Sequence, residues 1–184
     1  MTPPARAAAL ILGLLSLAGR AQGSTAVSDS AALQFYGFRA GARIEEMNAV
    51  LHRLDGTRLT CERAHADRRV YECRSVLRAP KLGSKVRLWV STVDSVASVI
   101  TLSANLETAQ LERWRHDLEY RYGRVGAHAQ GSQWMMQWVR QGRMLRLTWR
   151  VERGQKVASV SLVDGRVLDD WGRTRVRAAS TGPS

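Results

Sequence analysis

The segment 133–164 constrains the fold more than any other part of this 184-residue chain. Apolar and polar residues alternate along 133–140, 143–152 and 156–164, and a glycine-containing dipeptide interrupts the alternation at each junction. Such alternation is typical of strands with one buried face, and short glycine-containing breaks are typical of tight hairpins. The pattern therefore predicts an antiparallel meander of three strands.

The first part of the chain has strands of the same kind, and helical patterns stand before both groups. Apolar residues recur every three or four positions along 43–54 and 107–122, which is the spacing of one helical face. Glycine follows each of these segments, as expected at the end of a helix. The predicted strands between the helices form two hairpins: 57–63 with 70–77, and 85–93 with 96–103.

The tetrapeptide Val-Ala-Ser-Val occurs at 96–99 and again at 157–160. Each copy follows a helix and comparable strands, so the chain has the pattern of a helix plus a meander, twice. We therefore predict an α+β fold of two tandem helix-plus-meander units, 35–104 and 105–168. Together the units would form one antiparallel sheet with helices on one face.

The N-terminus has the pattern of a secretory signal peptide. One arginine precedes twelve almost wholly apolar residues at 7–18, and small residues follow. A membrane-spanning helix needs roughly twenty apolar residues, so this segment is too short to remain as an anchor. We therefore expect it to be removed, which leaves no transmembrane segment in the mature chain and a periplasmic or secreted location. We predict cleavage after Gly23, with Ala21 as the alternative. The predicted organisation is then a flexible lead-in at 24–30, a single domain at 31–171 and a basic, disordered tail at 172–184.

Cys61 and Cys73 are the two cysteines of the chain. In an oxidising compartment a disulfide is the expected state of such a pair. Their midpoint is residue 67, where a polar turn is also predicted, so the two cysteines should face each other across the first hairpin. A metal site needs four ligands and only His65 lies nearby, so we predict neither a metal nor another cofactor.

Residue parity assigns the two faces of the predicted sheet, because alternate side chains along a strand share a face. The disulfide falls on the helix-covered face, together with apolar residues that include Val99, Trp134, Trp149 and Val151. The opposite face, here called the open face, should be solvated and rich in arginine. Its predicted members are Arg58, Thr60, Glu62, Glu72, Arg74, Arg87, Trp89, Ser98, Ile100, Met135, Gln137, Arg146, Thr148, Arg150, Ser159 and Ser161.

The open face is the candidate binding surface. Trp89 and Ile100 would be apolar islands among arginines, and an aromatic ring beside arginine is typical of a protein-binding hot spot. An alternative is that Trp89 packs beneath a loop or the C-terminal tail. The candidate binding residues are Arg74, Arg87, Trp89, Ile100, Arg146 and Arg150.

Tandem helix-plus-meander units with a disulfide-closed hairpin resemble the β-lactamase inhibitor protein fold and the related small outer-membrane assembly lipoproteins. The segment 37–41, Gly-Phe-Arg-Ala-Gly, which precedes Ile-Glu-Glu-Met at 44–47, is similar to the loop that leads into a helix in those repeats. The resemblance covers the element order of 35–164 and implies a binding scaffold of that fold. It carries over no functional residue. The chain has no lipobox cysteine, and its open face has fewer aromatic residues than an inhibitor's binding surface would suggest.

Charge and motif content narrow the classes of function. The net charge is +12, and only three of the 28 basic residues are lysine. Because no run of five or six basic residues occurs, we do not predict nucleic-acid binding. The histidines are scattered, the neighbouring acids Asp169 and Asp170 should point apart, and no nucleophile or phosphate-binding motif occurs.

We therefore predict a non-enzymatic exported binding module whose partner is a protein or an anionic component of the cell envelope. Two alternatives stay open. One is an exported hydrolase-like enzyme with an unrecognised site, and the other is a structural envelope protein.

Overall fold

The structure is a computed structural model that describes residues 32–78 and 85–180, with the backbone alone for 176–180. The predicted signal peptide at 1–23, the lead-in at 24–30 and the end of the predicted tail at 181–184 lie outside the described residues. The described part is an α+β fold with one eight-stranded antiparallel sheet and three helices. No helix in this part is both long enough and apolar enough to cross a membrane.

The predicted helices and strands agree with the structure to within a few residues, while the strand at 128–130 and the helix at 165–180 have no counterpart among them. The elements are α1 (Ile44–Arg53), β1 (Thr60–Arg63), β2 (Val70–Leu77), β3 (Val86–Val93), β4 (Val96–Leu106), α2 (Thr108–Tyr122), β5 (His128–Gln130), β6 (Gln133–Arg140), β7 (Arg143–Glu152), β8 (Gln155–Asp164) and α3 (Gly165–Ser180).

The strand order across the sheet is β1-β2-β3-β4-β8-β7-β6-β5. Four consecutive strands follow α1 and four follow α2, and the two meanders meet where β4 pairs with β8. The β3–β4, β6–β7 and β7–β8 hairpins turn on two residues that both have positive φ, as in type I′ turns. These turns match the right-handed twist of the strands they join.

Helices α1 and α2 cover one face of the sheet and enclose the hydrophobic core. Met47, Val50 and Leu51 of α1 are buried there, as are the α2 residues Leu111 and Trp114. The predicted disulfide is confirmed: Cys61 pairs with Cys73 across the β1–β2 hairpin, and Cys73 is buried in this core. The helix-covered face therefore carries the disulfide, as the parity of the strands predicted.

Helix α3 packs on the opposite face, so the prediction of helices on one face is correct only for α1 and α2. Leu168 and Trp171 of α3 line a cleft together with Val70, Ser91 and Val93. These strand residues alternate with the core-facing positions and therefore belong to the open face. The sequence predicted a disordered tail from residue 172, whereas the backbone continues as α3 to Ser180.

A β-bulge at Ser98 corrects the predicted faces of β4. Ser91 pairs with Val99 and Thr92 pairs with Ala97, so Ser98 has no partner residue on β3. One extra residue reverses the parity of everything that follows it in the strand. Ile100, predicted on the open face, is fully buried in the core, and Val99, predicted in the core, lies on the open face opposite Ser91.

The parity prediction is correct at the far end of the second meander, but the predicted burial is not. Trp134 and Trp149 are paired on the helix-covered face, with ring centroids 6.5 Å apart. The guanidinium of Arg115 lies 5.3 Å from the Trp149 ring centroid. Trp134 is nevertheless 49% exposed and Val151 is 68% exposed. Their strands extend past the part of the sheet that the helices cover.

Candidate functional site

The centre of the open face is a row of six side chains, one on each of the six neighbouring strands from β2 to β6, and we call it the Trp89 row. Arg74 of β2 lies opposite Trp89, and Trp89 lies opposite Thr101. The row continues through Ser161, Arg146 and Gln137. Adjacent strands are about 4.8 Å apart, so the backbones of Arg74 and Arg146 are roughly 19 Å apart. The row thus presents one large aromatic ring between two arginines on a broad surface.

Hydrogen bonds hold most of the Trp89 row in place. The Thr101 and Ser161 hydroxyls lie 3.2 Å apart at its centre. Arg146 donates to Oε1 of Gln137 from Nε at 3.1 Å and from Nη2 at 2.9 Å. At the other end Arg74 forms a 3.9 Å ion pair with Glu72, and both side chains stay largely exposed. Half-buried Trp89 donates no hydrogen bond to a described residue, so its indole N–H is available to a partner.

A second feature of the open face is a shallow groove of about 350 Å³ next to the β7–β8 turn. Arg87, Arg150 and Arg153 line it, together with Asn105 and Glu152. Arg150 pairs with Glu152 at 3.1 Å, whereas Arg87 and Arg153 form no ion pair with a described residue. We call this feature the arginine groove. Three of its lining residues are arginines, and Glu152 is its single acidic lining residue.

Helix α3 covers the opposite end of the open face and is anchored at two points. At its N-terminus the buried carboxylate of Asp164 accepts hydrogen bonds from Arg143 Nε at 2.8 Å and from the backbone N–H of Arg166 at 3.1 Å. Six residues into the helix, the indole N–H of Trp171 donates to Oδ2 of Asp67 at 2.8 Å. The Arg143–Asp164 bond ties α3 to β7, and the Trp171–Asp67 bond ties it to the β1–β2 loop.

Gly41 makes the first of these anchors possible. Its φ is +87°, and a Cβ atom built there would lie 2.6 Å from Oδ2 of Asp164. Any other residue at this position would meet both backbone strain and a collision with the carboxylate. The second glycine of the Gly-Phe-Arg-Ala-Gly segment is therefore required by close packing against the start of α3.

Both anchoring carboxylates have a lowered pKa. Hydrogen bonds from the backbone N–H of Arg69 and from the Trp171 indole lower the pKa of Asp67 to about 2. Burial raises the pKa of Asp164, but hydrogen bonds from Arg166 and Arg143 outweigh burial and the pKa is lowered overall. At neutral pH both groups are therefore ionised and accept these hydrogen bonds.

Comparison with known proteins gives no relative. No protein-family model, curated protein or solved structure matches this chain.

The structure places five of the six candidate binding residues on the open face. Arg74, Trp89 and Arg146 belong to the Trp89 row, and Arg87 and Arg150 line the arginine groove. Ile100 does not join them, because the bulge at Ser98 turns it into the core.

Sequence reasoning missed two features of the open face. Arg153 completes the arginine groove, but it lies in a tight turn and alternation along a strand could not place it. The other is α3, whose residues Val167, Leu168 and Trp171 are visible in the sequence at helical spacing. The helix reaches Ser91, two residues along β3 from Trp89, and leaves Trp89 outside the cleft that it lines.

The ionisable residues of the described segments do not gather at one place. No group of three or more His, Cys, Asp or Glu side chains in 32–78 and 85–180 is placed to hold a metal ion. His52, His65, His116 and His128 are all exposed and lie in four different parts of the fold.

Proposed function

We propose that this protein is an exported, non-enzymatic binding module that holds a protein partner on its open face. The observation that carries the proposal is the half-buried Trp89 at the centre of that face, with Arg74 opposite it and Arg87 two residues away on the same strand. Tryptophan and arginine are the residues most enriched at binding hot spots. The cross-strand Thr101–Ser161 pair makes the surroundings of Trp89 firm, which reduces the entropy lost on binding.

The partner's surface is acidic in this proposal. Arg87 and Arg153 form no ion pair with a described residue, so the arginine groove has unused guanidinium donors. A guanidinium fork matches a carboxylate in geometry and charge. Acidic side chains of the partner would therefore occupy the groove while its apolar side chains cover Trp89. Binding of this kind weakens as the salt concentration rises, because exposed charges are screened.

The proposal also includes the compartment of the protein and the relation between its two meanders. The compartment is periplasmic or extracellular, and the Cys61–Cys73 disulfide supports it, because disulfides persist in oxidising compartments. We also propose that the two helix-plus-meander segments are tandem units of one repeat. Such a repeat would give this chain the β-lactamase inhibitor protein fold. The meeting of β4 with β8 supports this arrangement, since both are the last strands of their meanders.

A matched pair of double variants tests the function. The mature protein, Trp89→Ala/Arg87→Ala and Tyr120→Ala/Arg121→Ala are used to capture proteins from envelope extract of the cells that make this chain. The control removes an adjacent aromatic and arginine from α2, where Tyr120 is 86% exposed. All three proteins are first compared by urea unfolding.

We expect a partner that is retained by the mature protein and by the α2 variant. The Trp89→Ala/Arg87→Ala variant should lose it, and with the purified partner its affinity should fall by about 30-fold or more, as for a hot spot. Equal retention by both variants would contradict the proposal. Capture of an anionic glycan or lipid in place of a protein would also contradict it.

A further inference from the structure

The strongest unassigned feature is the cleft between α3 and the sheet, which we call the helix cleft. Its volume is about 180 Å³. A protein cavity of roughly 150 Å³ with apolar walls is large enough to hold benzene. The helix cleft can therefore hold a small organic group, and it is separate from both the Trp89 row and the arginine groove.

The walls of the helix cleft are mainly apolar. Val70 and Val93 contribute from the strands, Leu168 and Trp171 from α3, and Ala64 and Ala66 from the β1–β2 loop. Two hydroxyls interrupt the apolar surface. The Ser98 hydroxyl donates to the carbonyl of Ser91 at 3.0 Å, whereas the Ser91 hydroxyl has no hydrogen-bond partner among the described residues. An apolar cleft with few polar groups is the usual form of a small-molecule site.

The rim of the helix cleft carries one available positive charge. Arg175 is exposed, its guanidinium lies 5.1 Å from the Trp171 ring centroid, and it forms no ion pair with a described residue. Asp67 also lies at the rim, but Arg69 and Trp171 already donate hydrogen bonds to its carboxylate. The anionic head of a ligand would therefore contact Arg175. The nearby Asp67 carboxylate would repel it little, because hydrogen-bond donors already neutralise that group.

We propose that the helix cleft binds a small amphipathic carboxylate. Its unbranched alkyl chain would lie between α3 and the sheet, and its carboxylate would pair with Arg175. The alkyl chain displaces water from Val70, Val93 and Leu168, and the head group stays at the solvent edge. The ligand also joins α3 to the sheet, so that binding stabilises the helix.

The length of the alkyl chain gives the first test. The affinity of the mature protein for butanoate, hexanoate, octanoate and decanoate is measured by calorimetry below the concentrations at which these molecules self-associate. Each buried methylene is worth about a fourfold gain in affinity. We expect that gain for the shorter acids and a plateau once the cleft is full. A steady rise through decanoate, or no saturable binding, would overturn the proposal.

Two blocking variants and a control locate the site. Ser91→Leu fills the helix cleft from the sheet, and Ala66→Leu fills it from the β1–β2 loop. Each variant should reduce octanoate affinity by tenfold or more. One of them suffices for the test if the other does not fold. Ser103→Leu adds the same side chain to the open face outside the cleft and should bind octanoate as the mature protein does. Equal binding by the blocking and control variants would place the acid elsewhere and overturn the assignment.

The head group is tested with Arg175→Gln. This variant should bind octanoate about two- to fivefold more weakly, as expected for an exposed ion pair, and should bind octanol unchanged. If both ligands respond alike, the pairing of the carboxylate with Arg175 is wrong. Because none of these variants alters Trp89 or Arg87, failure here leaves the proposed protein-binding function standing.

Discussion

Ser98 determines which side chains of β4 reach the open face. Without the bulge, Ile100 would face solvent and Val99 would lie in the core. With the bulge, Ile100 pairs with Val90 and Leu162 on the core face, and all three side chains are buried. The residues from Ile100 to Leu106 alternate and place Ile100 with Leu102 on the core face. Parity counted from Ala97 through Ser98, as though the strand had no extra residue, reverses that assignment.

Replacing Ile100 and Val99 in turn tests this assignment. Ile100→Ala should lower the free energy of unfolding by about 2–5 kcal/mol, because it leaves a cavity in a closely packed core. Val99→Ala should lower it by about 1 kcal/mol or less, because Val99 is half-buried on the open face. Urea unfolding of both variants measures the difference. A larger loss for Val99→Ala than for Ile100→Ala would show that the assigned faces of β4 are reversed.

Helix α3 is the element that the sequence indicated least clearly. Strands with regular alternation and an amphipathic helix such as α2 can be found from their periods, and their observed bounds lie close to the predicted ones. The apolar stripe of α3 is short, and arginines at 173, 175 and 177 favour an interpretation as a solvated tail. Two tertiary contacts fix the helix: Arg143 of β7 bonds to Asp164 at its start, and Trp171 bonds to Asp67, 104 residues away in the chain.

Acid should weaken the attachment of α3. Asp67 has a folded pKa of about 2, and that of Asp164 is also lowered, against an ordinary value of about 3.9. A carboxyl whose folded pKa is lowered stabilises the fold above its unfolded pKa and loses that contribution as the pH falls through the folded value. Stability should therefore change little from pH 7 to about pH 5 and fall between about pH 4 and pH 2.

Urea unfolding across this pH range, with the Asp67→Asn variant beside the unsubstituted protein, measures the effect. The variant should lose less stability on acidification, because one of the two titrating anchors is gone. An identical loss in both proteins would show that Asp67 does not contribute to the acid response.

The disulfide should matter most for the edge strand β1. All four residues of β1 are exposed, and the strand pairs only with β2. In a Cys61→Ala/Cys73→Val variant, valine keeps the volume of the buried side chain. Loss of a cross-link that spans 12 residues should cost about 3 kcal/mol of unfolding free energy. Amide hydrogen exchange should accelerate more in β1, which can then open locally, than in β3 and β4, whose amides exchange through unfolding of the whole domain. Equal acceleration across the sheet would mean that the disulfide acts on unfolding of the whole domain alone and gives this edge no local protection.

At the scale of the whole molecule, the open face has three parts with different chemistry. Helix α3 covers one end, the Trp89 row occupies the centre, and the arginine groove lies at the other end. Sequence parity predicted five of the six residues of the Trp89 row and two of the three arginines of the groove, because those residues lie in strands without a bulge. It missed Thr101 of the row, which lies beyond the bulge in β4. It could not predict the division into three parts, since that depends on where α3 packs and how the β7–β8 turn folds back.

Site-specific photo-crosslinking tests the central claim most directly. A photoreactive phenylalanine analogue is placed at position 89 in one variant and at position 120 on α2 in another, and each is illuminated in cells that make the protein naturally. The account predicts one protein crosslinked from position 89 and absent from position 120. Crosslinks from position 120 alone, or equal yields from both positions, would contradict the assignment of the open face as the binding surface.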